Sequence, residues 1–114
     1  MHELGIVFHI IDAVEKIVAD NGLSEVSVVT LELGEVSAIL PEYLTDCWNW
    51  AVKKTEHLKT CRLETEQIPA VTLCESCGKT YETVAHGKIC PFCQSPQTHL
   101  VTGNEVLIKQ IEAM

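Results

Sequence analysis

Cys74-Glu75-Ser76-Cys77 and Cys90-Pro91-Phe92-Cys93 repeat one spacing, with a dozen residues between them, and they decide how this chain is read. A Cys-x-x-Cys pair sets two sulfurs close enough to grip one ion, and two such pairs complete a tetrahedral all-thiolate shell. That is the closed geometry of a structural zinc site. Gly78 after the first pair and Pro91 inside the second suit tight turns whose amides can point at sulfur. Disulfides are the competing reading. The very short loops within each pair argue against them, as does the compartment implied below.

Working outward, 114 residues suffice for one core and a small appendage. Sixteen acidic against eight basic residues give a net charge of −8, which argues against a nucleic-acid partner, because phosphate binding needs clustered Lys and Arg. The acidic balance instead fits a partner that is cationic, either a metal ion or a basic surface. Glu3, Asp12 and Glu15 interrupt the first apolar stretch, so it does not read as a secretory signal, and no run is long enough to span a membrane. A cytoplasmic location follows as the expectation, and there six cysteines point to metal rather than to a disulfide framework. Cys47 and Cys61 fall outside the paired pattern and read as small buried hydrophobes.

Residues 4–20 carry Leu4, Val7, Ile11, Val14 and Val18 at helical spacing, with Ile10 and Ile17 widening the stripe and Asn21-Gly22 as a stop. Residues 26–33 read as a strand. Its apolar phase slips between Val28 and Val29, which requires either a bulge or cover on both faces. A second helix is expected over 41–54, with Pro41 and Glu42 in its first turn and Leu44, Cys47, Trp48, Ala51 and Val52 facing inward. Trp50 falls off that stripe and reads as cover for a core edge, with a partner contact as the alternative, in which Tyr43 would join it as a docking element. Residues 60–67 alternate as a half-buried strand, and Ile68-Pro69-Ala70 interrupts the pattern as a domain crossing would. Short β-prone pieces follow at 71–73, 80–84 and 98–101, then a last strand at 105–111. The fold class is α+β: a small domain of two helices and a mixed sheet (1–69 plus 103–114) with an inserted zinc ribbon (70–102).

The amino terminus offers a second metal site. Bulky His2 should preserve the initiator Met1, so the free amine belongs to Met1. That amine, the His2 amide and one imidazole nitrogen can wrap a divalent ion in five- and six-membered chelate rings, with Glu3 supplying a fourth ligand. Such a set suits Ni(II) or Cu(II) in square-planar geometry. The amine titrates near about 7.7–8 and imidazole near about 6.5, so binding should weaken as pH falls below neutral. A solvated second-position histidine is the plainer reading of this motif alone. His9, His57, His86 and His99 read as surface or partly buried polar residues.

The full set of motifs resembles one known family. Met1-His2-Glu3-Leu4, Leu31-Glu32-Leu33-Gly34-Glu35-Val36-Ser37, the two cysteine pairs and the closing Gly103-Asn104-Glu105-Val106 with Ile111-Glu112 look like the HypA/HybF hydrogenase nickel-incorporation proteins. The resemblance spans essentially the whole chain. It implies an α/β nickel-binding domain with a projecting zinc domain. His2 would be a nickel ligand, helped by Met1 and Glu3, while Cys74, Cys77, Cys90 and Cys93 hold a structural zinc. It further implies transient Ni(II) carriage, with a HypB-type GTPase and the large subunit of [NiFe]-hydrogenase as partners. Homo-oligomerisation stays open, as does the choice between HypA and HybF clients and any role toward urease.

Two other function classes compete with this reading. An enzyme would need an open metal position, a nucleophile–base pair or a phosphate-cradling glycine loop, and none is visible. The runner-up is a zinc-ribbon adaptor for protein or nucleic acid, without nickel transfer, and the acidic charge weighs against its nucleic-acid form.

Overall fold

The apolar spacing at the start of the chain folds as a helix, α1 (Glu3–Asn21), in the computed structural model, which describes residues 3–114. Val7, Ile10, Ile11, Val14 and Val18 are buried on its inner face. Leu4 and Ile17, expected on the same stripe, remain 37% exposed, because the buried arc is narrower than the apolar one. Gly22 ends the helix in the left-handed region (φ +64°), and the Leu23 amide reaches back to the Val18 carbonyl at 3.0 Å. That bond and conformation make a Schellman stop, which glycine accommodates without Cβ strain.

Strand β1 (Val26–Gly34) follows, and residues 28–31 are buried in succession. The phase slip in the sequence therefore reflects cover on both faces. β1 is central in a three-stranded sheet of order β2-β1-β6, with β2 at Arg62–Ile68 and β6 at Val106–Ala113. Val26 N donates to His57 O at one end and Glu35 N to Ile68 O at the other, so β2 runs parallel to β1. Ser24 N to Met114 O and Gly34 N to Glu105 O make β6 antiparallel. The sheet is mixed, as expected, and a crossover through α2 (Pro41–Ala51) supplies the parallel pair.

Pro41 sits in the first turn of α2, where its missing N–H costs nothing. The helix ends at Ala51 and tightens into a 3₁₀ turn over Val52–Lys54, so the expected helix through residue 54 finishes in a different geometry. Trp48 is fully buried, and its indole N–H donates to the Cys61 carbonyl at 3.0 Å, which satisfies its one polar group. Cys61 is buried as expected, and that burial pushes its thiol up to about 11, where it stays protonated and inert. Cys47 differs from expectation: it is only part-buried and lines an open hollow beside Leu4, Tyr43, Asp46 and Trp50.

His57 Nδ1 lies 3.0 Å from Glu15 Oε2, tying the segment before β2 to α1. The hydrogen bond to Glu15 raises the His57 value above 6.5, against a smaller opposing effect of burial.

By its internal contacts the chain divides into two units: residues up to Glu32 with Ile39–Glu66 and Leu107–Met114, and Leu33–Ala38 with Gln67–Val106. In the second unit β3 (Val71–Cys74) pairs antiparallel with β4 (Thr80–Glu82) and with β5 (Thr98–Thr102), giving the order β4-β3-β5. The strand expected over 80–84 stops at Glu82. Its pairing runs out at Val71↔Glu82, one more bond joins Thr83 N to Ala70 O, and the chain turns into α3 (Thr83–His86). That short helix was not legible in the sequence.

Three segments of this unit meet at two glycines. A Cβ on Gly34 would lie 2.1 Å from the Gly103 carbonyl oxygen, and one on Gly103 would lie 2.4 Å from Ala70 Cα. Glu35 Oε1 accepts the Ala70 amide at 2.9 Å, and Val36 N donates to Gly103 O at 2.9 Å. The Glu105 carboxylate accepts from the Gly103 amide at 2.6 Å, the Asn104 amide at 2.7 Å and the Thr102 hydroxyl at 2.9 Å. Donation from Gly103, then from Thr102, holds its carboxyl below the usual 4.5. The Leu-Glu-Leu-Gly-Glu-Val and Gly-Asn-Glu motifs are thus architectural.

Two outcomes follow. Gly103→Ala should destabilise the second unit by about 3 kcal/mol, because the methyl overlaps backbone that cannot yield and the φ of +114° disfavours any side chain; thermal unfolding reads it. The His57–Glu15 contact favours the charged imidazole. Its stabilisation should therefore be full below about pH 6.5 and disappear as pH rises through the raised folded value. Denaturation midpoints of the native protein should fall between about pH 6 and pH 8 more than those of His57→Gln.

Candidate metal centre

β3 delivers Cys74 at its last residue, and the turn that follows returns Cys77 to the same side. Cys74 N donates to Lys79 O (2.9 Å) and Gly78 N to Cys74 O (2.8 Å). The second pair repeats both bonds at the same offsets: Cys90 N to Ser95 O (3.0 Å) and Gln94 N to Cys90 O (2.9 Å). The residue after each pair is left-handed, Gly78 at φ +76° and Gln94 at φ +66°. The two loops are therefore copies of one backbone knuckle, and only the first has the residue that this conformation prefers.

The four sulfurs lie within 4.8 Å of one another. Cys74 and Cys93 Sγ are 3.6 Å apart, and Cys77 and Cys90 Sγ 3.7 Å. All six cysteines are free thiols. A tetrahedron with zinc–sulfur bonds of about 2.3 Å has edges of about 3.8 Å, whereas a disulfide needs about 2.05 Å. The spacing fits a shared ion and excludes bonded pairs. Cys74 and Cys90 are fully buried, while Cys77 and Cys93 reach the surface. The Phe92 amide points at Cys90 Sγ at 3.4 Å. Donation from the Cys77 amide, aided by Ser76, lowers the Cys74 thiol to about 7. For Cys93 the Ser95 amide acts downward, but burial and the neighbouring sulfurs outweigh it and push the thiol up to about 12. Donated amides thus favour the thiolate at Cys74, whereas its surroundings favour the thiol at Cys93. A divalent cation is what four adjacent thiolates require.

The buried cluster of this module is Cys74, Tyr81 and Cys90, with the Tyr81 hydroxyl donating to Gly87 O at 2.9 Å. His86 packs edge-on against Tyr81 and His99 Nδ1 lies 3.2 Å from Glu75, so both act as the polar residues expected. The second unit holds Lys79 and Lys88 against Glu35, Glu75, Glu82 and Glu105, which is no basic patch.

The second predicted site meets the structure at one residue. Met1 and His2 lie outside the described residues. Glu3 opens α1 and is buried, 8% exposed, in a hollow lined by Leu4, Gly5, Phe8 and Tyr43. Among the described residues the four cysteines are the one cluster with metal-ligand spacing.

The family model for hydrogenase/urease nickel incorporation, the metallochaperone HypA, matches residues 1–113. The chain belongs to the HypA family. Hydrogenase maturation factor HypA 1 of Bradyrhizobium diazoefficiens is 35% identical over 112 residues, covering 98% of each chain. Hydrogenase maturation factor HypA of Chlorobium phaeobacteroides is 35% identical over 111 residues, covering 97% of each. The fold matches the solution structure of the nickel metallochaperone HypA from Helicobacter pylori with a TM-score of 0.78, at 21% identity over 100% of this chain and 98% of that one. HypA proteins are metallochaperones, accessory factors rather than catalysts, so this chain is not an enzyme. No helix among the described residues is long and apolar enough to cross a membrane.

The knuckle asymmetry is testable. Gly78→Ala should cost about 1 kcal/mol of metal-loaded stability, since its φ is left-handed although a Cβ there has open space. Gln94→Gly should instead gain up to about 1 kcal/mol. Thermal unfolding of both variants, side by side, checks the opposite signs.

Proposed function

We propose that this chain is a cytoplasmic nickel metallochaperone that holds Ni(II) transiently at its amino terminus and delivers it to the large subunit of [NiFe]-hydrogenase, while zinc bound by Cys74, Cys77, Cys90 and Cys93 shapes the ribbon. The observation that carries this reading is the family match over residues 1–113, which includes Met1-His2-Glu3. The four-thiolate set supports the division of roles. A closed soft shell suits permanent zinc and offers no open position to an ion that must leave again. Nickel then needs another seat. The Met1 amine, the His2 amide nitrogen, the His2 imidazole and Glu3 provide a nitrogen-rich one of the geometry Ni(II) prefers.

Two physical features favour release from that seat. Its amine and imidazole compete with protons near neutral pH, so modest acidification or a stronger partner set displaces the ion. Glu3 belongs to α1, whose buried face fixes it, so one ligand is anchored to the fold. The ribbon's own stability rests on the other ion. Burying Tyr81 contributes about 2 kcal/mol, whereas a structural zinc contributes roughly 10–16 kcal/mol.

The proposed partners are a HypB-type GTPase and the hydrogenase large subunit, in keeping with relatives named hydrogenase maturation factors. The family description also names urease, so a urease-directed role is a second client for the same chemistry.

A Gly-Ser extension before Met1 removes the terminal amine and leaves every side chain in place. It should weaken nickel binding about tenfold or more, a loss of at least about 1.4 kcal/mol, with zinc content unchanged. His2→Ala should behave alike, whereas Cys74→Ser should lose zinc and ribbon structure first. Calorimetric nickel titration beside metal analysis reads all three, and unchanged nickel affinity in the extended protein would move the site elsewhere.

A further inference from the structure

Among the described residues, α1 and α2 leave an apolar face uncovered at the end of α1 that carries Glu3. Two hollows of about 270 and 400 Å³ open there and share Leu4 and Tyr43 in their walls. Phe8 and Trp50 meet edge to face with centroids 6.5 Å apart. Phe8 is 44% exposed, Tyr43 54% and Trp50 50%, three aromatics gathered on one face. Trp50 was expected to cover a core edge; instead half of it faces solvent beside part-buried Cys47. Apolar area of this kind on a small charged protein marks a binding surface.

Its rim is acidic. Glu42 and Asp46 are exposed and stand one turn apart on α2, where like charges repel. Neither takes part in an ion pair among the described residues. Asp46 lines one hollow and Glu3 the other. At the far end the Lys54 ammonium already lies 3.8 Å over the Trp50 ring. The face therefore has a defined polarity: aromatic floor, acidic rim toward Tyr43, one intrinsic cation at Trp50.

A second copy of this chain is a poor occupant. Each copy carries −8, and a twofold contact through this face would set Glu42 and Asp46 against their own mates. We infer that the α1–α2 face docks an amphipathic helical segment of another protein, whose apolar side chains fill the two hollows and whose Lys or Arg residues pair with Asp46 and Glu42. Tyr43 to Trp50 spans about two helical turns, a length that suits anchors at helical spacing on the partner. This deepens the proposed function. Leu4 is two residues from His2 in sequence, so a recipient held here sits at high effective concentration beside the proposed nickel ligands.

The test titrates isotope-labelled, zinc-loaded full-length protein with an amphipathic helical peptide of leucine, phenylalanine and lysine, about four turns long. Its counterpart carries glutamate at every lysine. The expected result is amide shifts centred on Leu4, Phe8, Tyr43, Cys47 and Trp50 with the lysine peptide, and at least tenfold weaker binding of the glutamate peptide, about 1.4 kcal/mol. Asp46→Lys, an exposed change that leaves the core intact, should weaken the lysine peptide about fivefold and improve the glutamate peptide. Tyr43→Ser should weaken the lysine peptide about tenfold. Shifts centred on the ribbon, equal affinity for the two peptides, or indifference to Asp46→Lys would overturn the proposal. So would a concentration-dependent dimer that Asp46→Lys abolishes, since that assigns the face to self-association. The Gly-Ser-extended protein separates this from the nickel reading: it should lose nickel affinity yet bind the lysine peptide as before. Retained nickel with normal peptide binding sinks the terminal chelate and leaves the docking face standing, and lost nickel with unmapped peptide does the reverse.

Discussion

Where the backbones at Gly34 and Gly103 meet, there is no space for a side chain on either, and the path of the chain depends on that closeness. β1 ends at Gly34, β2 ends just before Ala70, and the chain returns through Gly103 to begin β6. Three amides at this crossing are bound by two carboxylates, Glu35 and Glu105, whose ionised oxygens make stronger hydrogen bonds than a neutral acceptor would. These bonds hold the two ends of the segment between β2 and β6 together beside the turn after β1.

How legible this was in the sequence depended on whether the physics was local. The α1 stripe follows from residue spacing, and the buried five of its seven members were right. Leu4 and Ile17 misled because hydrophobicity states what may be buried, whereas neighbouring elements determine what is. The slip at Val28–Val29 carried real information, namely a strand covered on both faces, but periodicity could not separate that from a bulge. α3 was invisible for a different reason: β4 ends where β3 has no further residue to pair with, a fact about another strand. Gly34 and Glu105 showed as motif residues, yet nothing in the string says that Gly34 meets Gly103.

The cysteine site was the most legible part, because ligand spacing within a knuckle is a local geometric requirement. The sequence did not show that the second knuckle keeps the left-handed turn with Gln94 in place of glycine. Identical hydrogen bonds at identical offsets in both loops imply that the turn is imposed by the need to aim sulfur and amides together, at a local conformational cost in the second copy. Met1 and His2 pose the opposite case. Their chemistry is readable from composition and position alone, and the proposal for nickel rests there rather than on a folded cage.

Exposure follows the same twofold logic as the hydrogen bonds. The first cysteine of each knuckle is buried and the second reaches the surface, and each buried sulfur has its short contact with the exposed sulfur of the other loop. Two thiolates thus anchor the proposed zinc from within the ribbon's small core while two close it from outside. A donor set of this kind holds its ion by enclosure, so it cannot also serve an ion destined for another protein. Separating permanence from exchange therefore requires two seats of different chemistry. In the proposed function those are a soft, four-coordinate seat built into the ribbon and a nitrogen-rich one around Met1 and His2.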